Sequence, residues 1–111
     1  MSMIAALLLA AASAPFPVAK GSCRWVRARF SDGSNGSSVR RFWAIGTHHM
    51  LALYDDVPAP ALDRLYRDPN IKSGGAVAFG EFRLCALERY RRGNLQHVRA
   101  TGIRKIIVVP R

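Results

Sequence analysis

The first half of the chain carries three short apolar runs, each of strand length and each followed by turn-forming residues. The first run, CRWVRARF (23–30), is rich in strand formers and leads into SDGSNGSS (31–38), whose DG and NG pairs tolerate positive φ. VRRFWAI (39–45) and MLALY (50–54) come next. This pattern predicts a three-stranded meander that begins with a hairpin.

The pattern changes after the meander. In ALDRLYRD (61–68) the apolar residues share one helical face, which predicts two turns of helix. Pro69 is expected to stop that helix, and NIKSGG (70–75) to form a loop.

The last third of the chain is again typical of strands. AVAFGEFRLCAL (76–87) predicts a strand in which Gly80 indicates a bulge or a close backbone approach. After a basic turn, the segments 95–101 and 104–109 predict two final strands separated at Gly102. The expected fold is therefore mainly β: a small antiparallel sheet, barrel or sandwich of five to six strands with one short helix.

The chain begins with an uncharged apolar run, MSMIAALLLAAASA, that ends in the small-x-small sequence ASA (12–14). This is typical of a signal peptide cleaved at that site or nearer Ala19, and the run is too short to span a bilayer comfortably. We predict a signal peptide over 1–19 and a single small domain over 20–111, located in the periplasm or secreted. The alternative is an apolar first element of a cytoplasmic domain.

Two cysteines, Cys23 and Cys85, are present. In an oxidising compartment they can pair in only one way, and closing a loop of about 60 residues would stabilise the fold by about 4 kcal/mol in the chain-entropy model. A cytosolic location would instead leave two buried thiols.

Seventeen basic and seven acidic side chains give a formal charge of +10, and fourteen of the basic residues are arginine. A GC-rich genome and a solvated basic surface explain this as well as a binding role does. If the first two strands pair, however, their arginines approach one another beside Trp25, Trp43 or Tyr90, as in an electropositive sheet with stacking groups. The candidate anion-binding residues are Arg27, Arg29, Arg40, Arg41, Arg89, Arg91 and Arg92.

Two segments resemble a family of small uncharacterised exported proteins of proteobacteria. NGSSVRRFWAIGT (35–47) is similar to its N-G, R-[IF]-W and [IV]-G-T elements, and FGEFRLC (79–85) to its F-G-[DE]-[FY]-x-[VL]-C element. Relatives carry a further cysteine where this chain has Arg99. The resemblance implies export and a shared fold, and it implies no activity.

No pattern for catalysis, metal binding or cofactor binding is found in the sequence. His48 and His49 are adjacent, so on a strand they point to opposite faces and cannot easily chelate one metal. Asp55-Asp56 is more typical of a turn, and G-x-S-x-G and nucleotide-binding glycine motifs are absent. We therefore expect no cofactor and no enzyme; the enzymatic alternative needs His97, Asp56 and a serine to converge in a pocket.

These observations lead to one main functional hypothesis and one alternative. The main hypothesis is a non-enzymatic envelope protein, a binding or structural module with a cationic face. Its partner would be an anionic envelope component or a protein. The alternative is a cytoplasmic β domain that binds single-stranded nucleic acid, which the predicted leader disfavours.

Overall fold

The computed structural model describes residues 15–32, 39–54 and 58–111. The mainly β architecture is confirmed, with five strands and one short α-helix in the described ranges. Two 3-10 turns and the helix lie between the third and fourth strands. In chain order the elements are β1 (Cys23–Ser31), β2 (Val39–Ala44), β3 (Met50–Tyr54), the 3-10 turns Pro60–Leu62 and Leu65–Arg67, α1 (Pro69–Ser73), β4 (Ala76–Ala86) and β5 (Gln96–Pro110).

The strands pair in the order β1-β2-β3-β5-β4, and β4 also pairs with β1, so the sheet closes into a barrel. The predicted pairing of the first two strands is confirmed, with Arg29 opposite Trp43. One contact differs from the antiparallel expectation, because β3 and β5 run parallel where Leu51 lies opposite Gln96. Most of the predicted hairpin turn, over 33–38, lies outside the described residues.

The inside of the closed sheet is filled by alternate residues of the strands. Val26, Ala28 and Phe30 of β1 are fully buried, whereas the residues between them reach the outer surface. Phe30, Phe42 and Phe82 meet at the centre, with ring centroids 5.1 to 6.0 Å apart. This period-two burial fixes which side chains are available on the outside.

The last strand differs from the prediction of two strands broken at Gly102. β5 is a single strand of 15 residues, and Gly102 pairs with Arg83 inside it. A Cβ at Gly102 would lie 3.0 Å from the ring of Trp25. The glycine therefore accommodates a tryptophan that packs against the strand, and does not end the strand.

Gly80 has the role that the sequence indicated. The β4–β5 register shifts between Phe79 and Glu81, and Lys105 on the bulged strand has a φ of 56°. A Cβ at Gly80 would lie 2.4 Å from the Ile106 side chain and 3.0 Å from the Lys105 carbonyl oxygen. The absence of a side chain thus lets the bulge pack closely.

The helix lies later in the chain than the sequence pattern predicted. Residues 61–68 form only 3-10 turns, and the α-helix begins at Pro69, where the predicted helix was expected to stop, and runs to Ser73 in the expected loop. Proline suits the first helical position because it lacks the N–H that would be unpaired there. Asp68 caps this helix by accepting a hydrogen bond from the Asn70 amide at 2.9 Å.

The predicted disulfide between Cys23 and Cys85 is confirmed. The two residues occupy paired positions of β1 and β4 and are separated by 62 positions in the chain. Among the described residues, no helix has the length and apolar character needed to cross a membrane.

Candidate anion-binding face

A row of side chains crosses four strands on the outside of the sheet. Arg29 of β1 lies opposite Trp43 of β2 on one side and opposite Phe79 of β4 on the other. Phe79 in turn lies opposite Ile107 of β5. Because the neighbouring β1 residues Ala28 and Phe30 point into the core, this row faces outward. It combines one cation with three apolar groups, two of them aromatic.

Two further arginines flank this row. Arg27 lies two positions before Arg29 on the same side of β1, and Arg41 lies two positions before Trp43 on the same side of β2. Within the described residues, Arg29 and Arg41 have no hydrogen-bond or ion-pair partner. We call Arg27, Arg29, Arg41, Trp43 and Phe79 the cationic face.

Arg40, a candidate from the sequence, does not belong to the cationic face. It shares the inward side of β2 with Phe42 and is 8% exposed. Its guanidinium interacts with Tyr66. Burial raises the pKa of the Tyr66 hydroxyl to about 12, although the Arg40 guanidinium acts to lower it. Because successive side chains of a strand point to opposite faces, Arg40 points into the sheet and Arg41 points outward.

The two tryptophans have different surroundings. The Trp43 indole N–H donates to the Thr47 carbonyl oxygen at 2.7 Å, which fixes a ring that is 37% exposed. Trp25 is similarly exposed, but the Arg104 guanidinium lies 3.9 Å from its ring centre and occupies one face of the ring. The Trp43 ring is therefore available for stacking, whereas one face of the Trp25 ring is covered by a cation–π contact.

A groove of about 490 Å³ adjoins the cationic face. Ile45, Phe79 and Ile107 supply apolar walls, and Arg27 lies at its rim. Glu81 also lines the groove, accepting a hydrogen bond from Arg104 at 2.6 Å that lowers the pKa of its carboxyl group. Among the described residues that line this groove, Glu81 is the one acid, and its charge is balanced by Arg104.

The basic loop between β4 and β5 lies near a second cleft of about 640 Å³. Arg92 and Tyr90 line this cleft, as does Met50, which lies opposite Trp43 in the sheet. Arg89 and Arg91 are exposed on the same loop, but they are not lining residues. Of the three candidate arginines of this loop, only Arg92 lines this cleft.

His49, one of the two adjacent histidines considered as metal ligands, is buried in a structural cluster. Its Nε2 atom lies 2.8 Å from Gln96 Oε1, and its ring packs against Phe16 and Tyr90 at centroid distances of 3.9 and 4.5 Å. Gln96 donates to the Pro17 carbonyl oxygen at 2.8 Å. Sequence reasoning missed this cluster, because no local pattern links Gln96 to residues 16–18.

The remaining groups considered for catalysis do not converge in the described part of the chain. His97 is paired with Glu88, whose pKa is lowered by hydrogen bonds from the His97 backbone and side chain. Asp55-Asp56 lies outside the described residues. Among residues 15–32, 39–54 and 58–111, no group of three or more His, Cys, Asp or Glu is placed to hold a metal ion.

The burial of His49 predicts a pH dependence of stability. Burial lowers its pKa from the ordinary 6.5, and the hydrogen bond with Gln96 opposes this only in part. The unfolded chain therefore takes up a proton near pH 6.5 while the folded chain resists it, so the free energy of unfolding falls as the pH drops below about 6.5.

Urea denaturation at about pH 7.5 and about pH 5.5 measures this effect. We expect His49→Gln to reduce the difference in the free energy of unfolding between the two pH values. His48→Gln, at an exposed neighbouring position, should leave that difference unchanged. A pH dependence that survives in His49→Gln would contradict this assignment.

Together, these features define a class: a disulfide-bonded, mainly β domain with a basic and aromatic outer surface. No family model, curated protein or solved structure matches the chain. Its resemblance to small exported proteobacterial proteins therefore stays a prediction.

Proposed function

We propose that this protein is a small exported envelope protein that acts without catalysis and binds an anionic, ring-containing polymer on its cationic face. The row of Trp43, Arg29 and Phe79 carries this proposal, because it alternates stacking groups with a cation. Such a surface suits a chain whose units carry both rings with an apolar face, which can pack on an aromatic side chain, and negative charges. An envelope glycan bearing phosphate or carboxylate groups has this chemistry.

The availability of the cations supports binding over a purely structural role. Arg29 and Arg41 have no described partner, whereas Arg104 is committed to Glu81 and Trp25. A guanidinium can donate two parallel hydrogen bonds to phosphate or carboxylate. Two such groups beside a fixed indole provide orientation as well as charge.

The disulfide supports export, and the packed segment 15–19 bears on where the leader would be cleaved. A stable bridge such as Cys23–Cys85 is typical of oxidising compartments. Pro17 is fully buried, and Val18 accepts a hydrogen bond from the Tyr90 amide at 2.8 Å. These contacts favour cleavage after Ala14, because cleavage near Ala19 would remove Pro17 and Val18, which pack against the barrel and the Tyr90 backbone.

The experiment is a binding assay with three probes: heparin, which has rings and charge; polyphosphate, which has charge alone; and neutral dextran. We expect heparin to bind most tightly, with affinity falling as salt rises. Trp43→Ala should weaken heparin binding roughly tenfold, by analogy with stacking in other grooves, and leave polyphosphate binding nearly unchanged. Arg29→Gln and Arg41→Gln should weaken both.

Arg99→Gln is the matched control, since Arg99 is exposed on β5 but lies outside the cationic face. It removes one positive charge, as Arg29→Gln does. If Arg99→Gln weakened binding as much as Arg29→Gln, binding would reflect net charge and the proposed face would be wrong. Equal retention on dextran and heparin would contradict the proposal entirely.

Single-stranded nucleic acid is the second candidate ligand, and the strand order favours it. A five-stranded Greek-key barrel is also the architecture of OB folds, which bind oligonucleotides and oligosaccharides on strands 2 and 3 and at adjacent loops. Trp43 lies on the corresponding strand, β2. Tighter binding of oligothymidylate than of heparin at equal salt would favour this candidate.

A further inference from the structure

The groove beside the cationic face has a floor of backbone and one apolar wall. Ala28 and Gly80, which pair across β1 and β4, form the floor, since the Ala28 side chain points into the core. Phe79 and Ile107, which pair across β4 and β5, form the apolar wall, and Ile45 also lines the groove. Ile107 is 65% exposed, the highest value among the large apolar residues described. A ligand that buried this wall would therefore gain binding free energy from the hydrophobic effect.

The opposite wall of the groove is charged. Arg27 and Glu81 pair across β1 and β4, one position away from the floor. The Glu81 carboxylate accepts a hydrogen bond from Arg104 at 2.6 Å, and the Lys105 ammonium group lies 3.9 Å from the same oxygen. Arg27 also acts electrostatically on this carboxylate. Three cations thus surround one acid, which leaves an excess of positive charge at this wall.

The bulge in β5 is what supplies the additional cation. Ile103 and Ile106 both pack against the core. The two residues between them, Arg104 and Lys105, are both exposed, whereas successive residues of a regular strand face opposite sides. Lys105 has a φ of 56°, and among the described residues it is the one non-glycine with a positive φ. A disfavoured backbone conformation thus presents Lys105 at the groove while Arg104 pairs with Glu81.

We propose that this groove binds a single-chain anionic lipid, with the acyl chain along the apolar wall and the charged head at the cationic wall. An acyl chain requires apolar contact and no hydrogen-bond partner, as Phe79, Ile107 and Ile45 provide. Arg27 and Lys105 can donate charge-assisted hydrogen bonds to a phosphate or carboxylate head. The groove volume of about 490 Å³ is within the range of about 300–1,000 Å³ found for small-molecule sites.

The arrangement of the two walls favours a ligand that is both apolar and charged. Phe79 and Glu81 lie two positions apart on the same strand, so the walls are about 7 Å apart. A ligand on the floor between them therefore contacts both walls. A purely apolar ligand would remove water from the cations without pairing them, and a small anion would leave the apolar wall exposed. An amphiphile with an anionic head satisfies both walls. This inference does not rest on the proposed function, although Phe79 belongs to both surfaces.

Titration calorimetry of the full chain with dodecyl phosphate, at concentrations below those that form micelles, tests the proposal. Two further probes separate the contributions of chain and head: dodecyl maltoside has the same chain and an uncharged head, and butyl phosphate has the same head and a short chain. We expect dodecyl phosphate to bind with one equivalent. The other two probes should bind at least about tenfold more weakly, because each loses one of the two walls.

Paired variants test the two walls separately. Ile107→Ser should weaken dodecyl phosphate binding about tenfold by removing apolar surface from the groove. Leu87→Ser is its control, because Leu87 is also exposed but does not line the groove. Lys105→Gln should weaken binding more than Lys72→Gln, which removes the same charge from an exposed position on α1. All four positions are exposed, so we expect the variants to fold as the wild type does.

The location of the chain provides an independent measurement. Nuclear Overhauser contacts from the alkyl chain should reach the Phe79 ring and the Ile107 methyl groups. Trp43→Ala should leave dodecyl phosphate binding nearly unchanged while weakening heparin binding, and Ile107→Ser should weaken only the binding of dodecyl phosphate. Failure of the lipid site is therefore distinguishable from failure of the proposed function.

Several results would overturn the lipid site. Binding of many equivalents of dodecyl phosphate would show attraction to net charge alone. Equal affinity for butyl phosphate would show an anion site without an acyl groove, and equal affinity for dodecyl maltoside would show that the cations have no role. Equal effects of Ile107→Ser and Leu87→Ser, or alkyl contacts confined to Phe16 and Tyr90 in the second cleft, would place the ligand elsewhere.

Discussion

Removing the Cys23–Cys85 bridge is expected to lower the free energy of unfolding by about 4 kcal/mol. The bridge closes a loop with a sequence separation of 62, and the chain-entropy model assigns the loss to a less restricted unfolded chain. Because small domains have only about 5–15 kcal/mol of stability, this is a large fraction of the total. Urea denaturation of Cys23→Ala/Cys85→Ala against the wild type measures it.

Reduction of the wild-type protein is the control for this double variant. Dithiothreitol should destabilise the wild type to the same extent and leave the double variant unchanged. A loss below about 1 kcal/mol in both experiments would contradict a stabilising role for the bridge.

The second large effect is expected at the centre of the barrel. Phe82 is fully buried and contacts Phe30 and Phe42, so Phe82→Ala should cost about 3–5 kcal/mol through lost burial and the cavity it leaves. Urea denaturation measures this cost from the shift of the midpoint, if the slope of the unfolding free energy against urea concentration is the same in both proteins.

Phe79→Ala is the matched control, because Phe79 lies three positions away in the same strand but faces outward. We expect it to cost less than half as much stability as Phe82→Ala and to weaken binding to the cationic face. Equal destabilisation by the two variants would contradict the assignment of inner and outer sides in β4.

The local features of this fold were predictable from sequence. Strand-forming residues marked β1 and β4, the two cysteines had only one possible pairing, and Gly80 indicated the bulge that the structure shows at Lys105. Each of these signals is local or has only one solution. They were sufficient for the fold class and for the strands that carry the cationic face.

Features that depend on distant contacts were not predictable. Gly102 has the sequence signature of a strand break, but the strand continues because it stays paired with β4, and the closeness of Trp25 explains why the residue is a glycine. Pro69 is a different case, because it could either stop one helix or begin another, and the local Asp68 cap that indicates the second outcome was overlooked in the sequence. The burial of Arg40 likewise follows from strand orientation, which an Arg-Arg pair alone does not specify.

The central claim is that Trp43, Arg29 and Phe79 form one ligand-binding surface. The most direct test is a nuclear magnetic resonance titration of the full domain with a short heparin oligosaccharide, following backbone amides and the Trp43 indole N–H. We predict that shifts concentrate on the outward residues of β1, β2 and β4, including that indole. Shifts confined to the β3–β5 side, or a uniform response at all exposed arginines, would contradict the account.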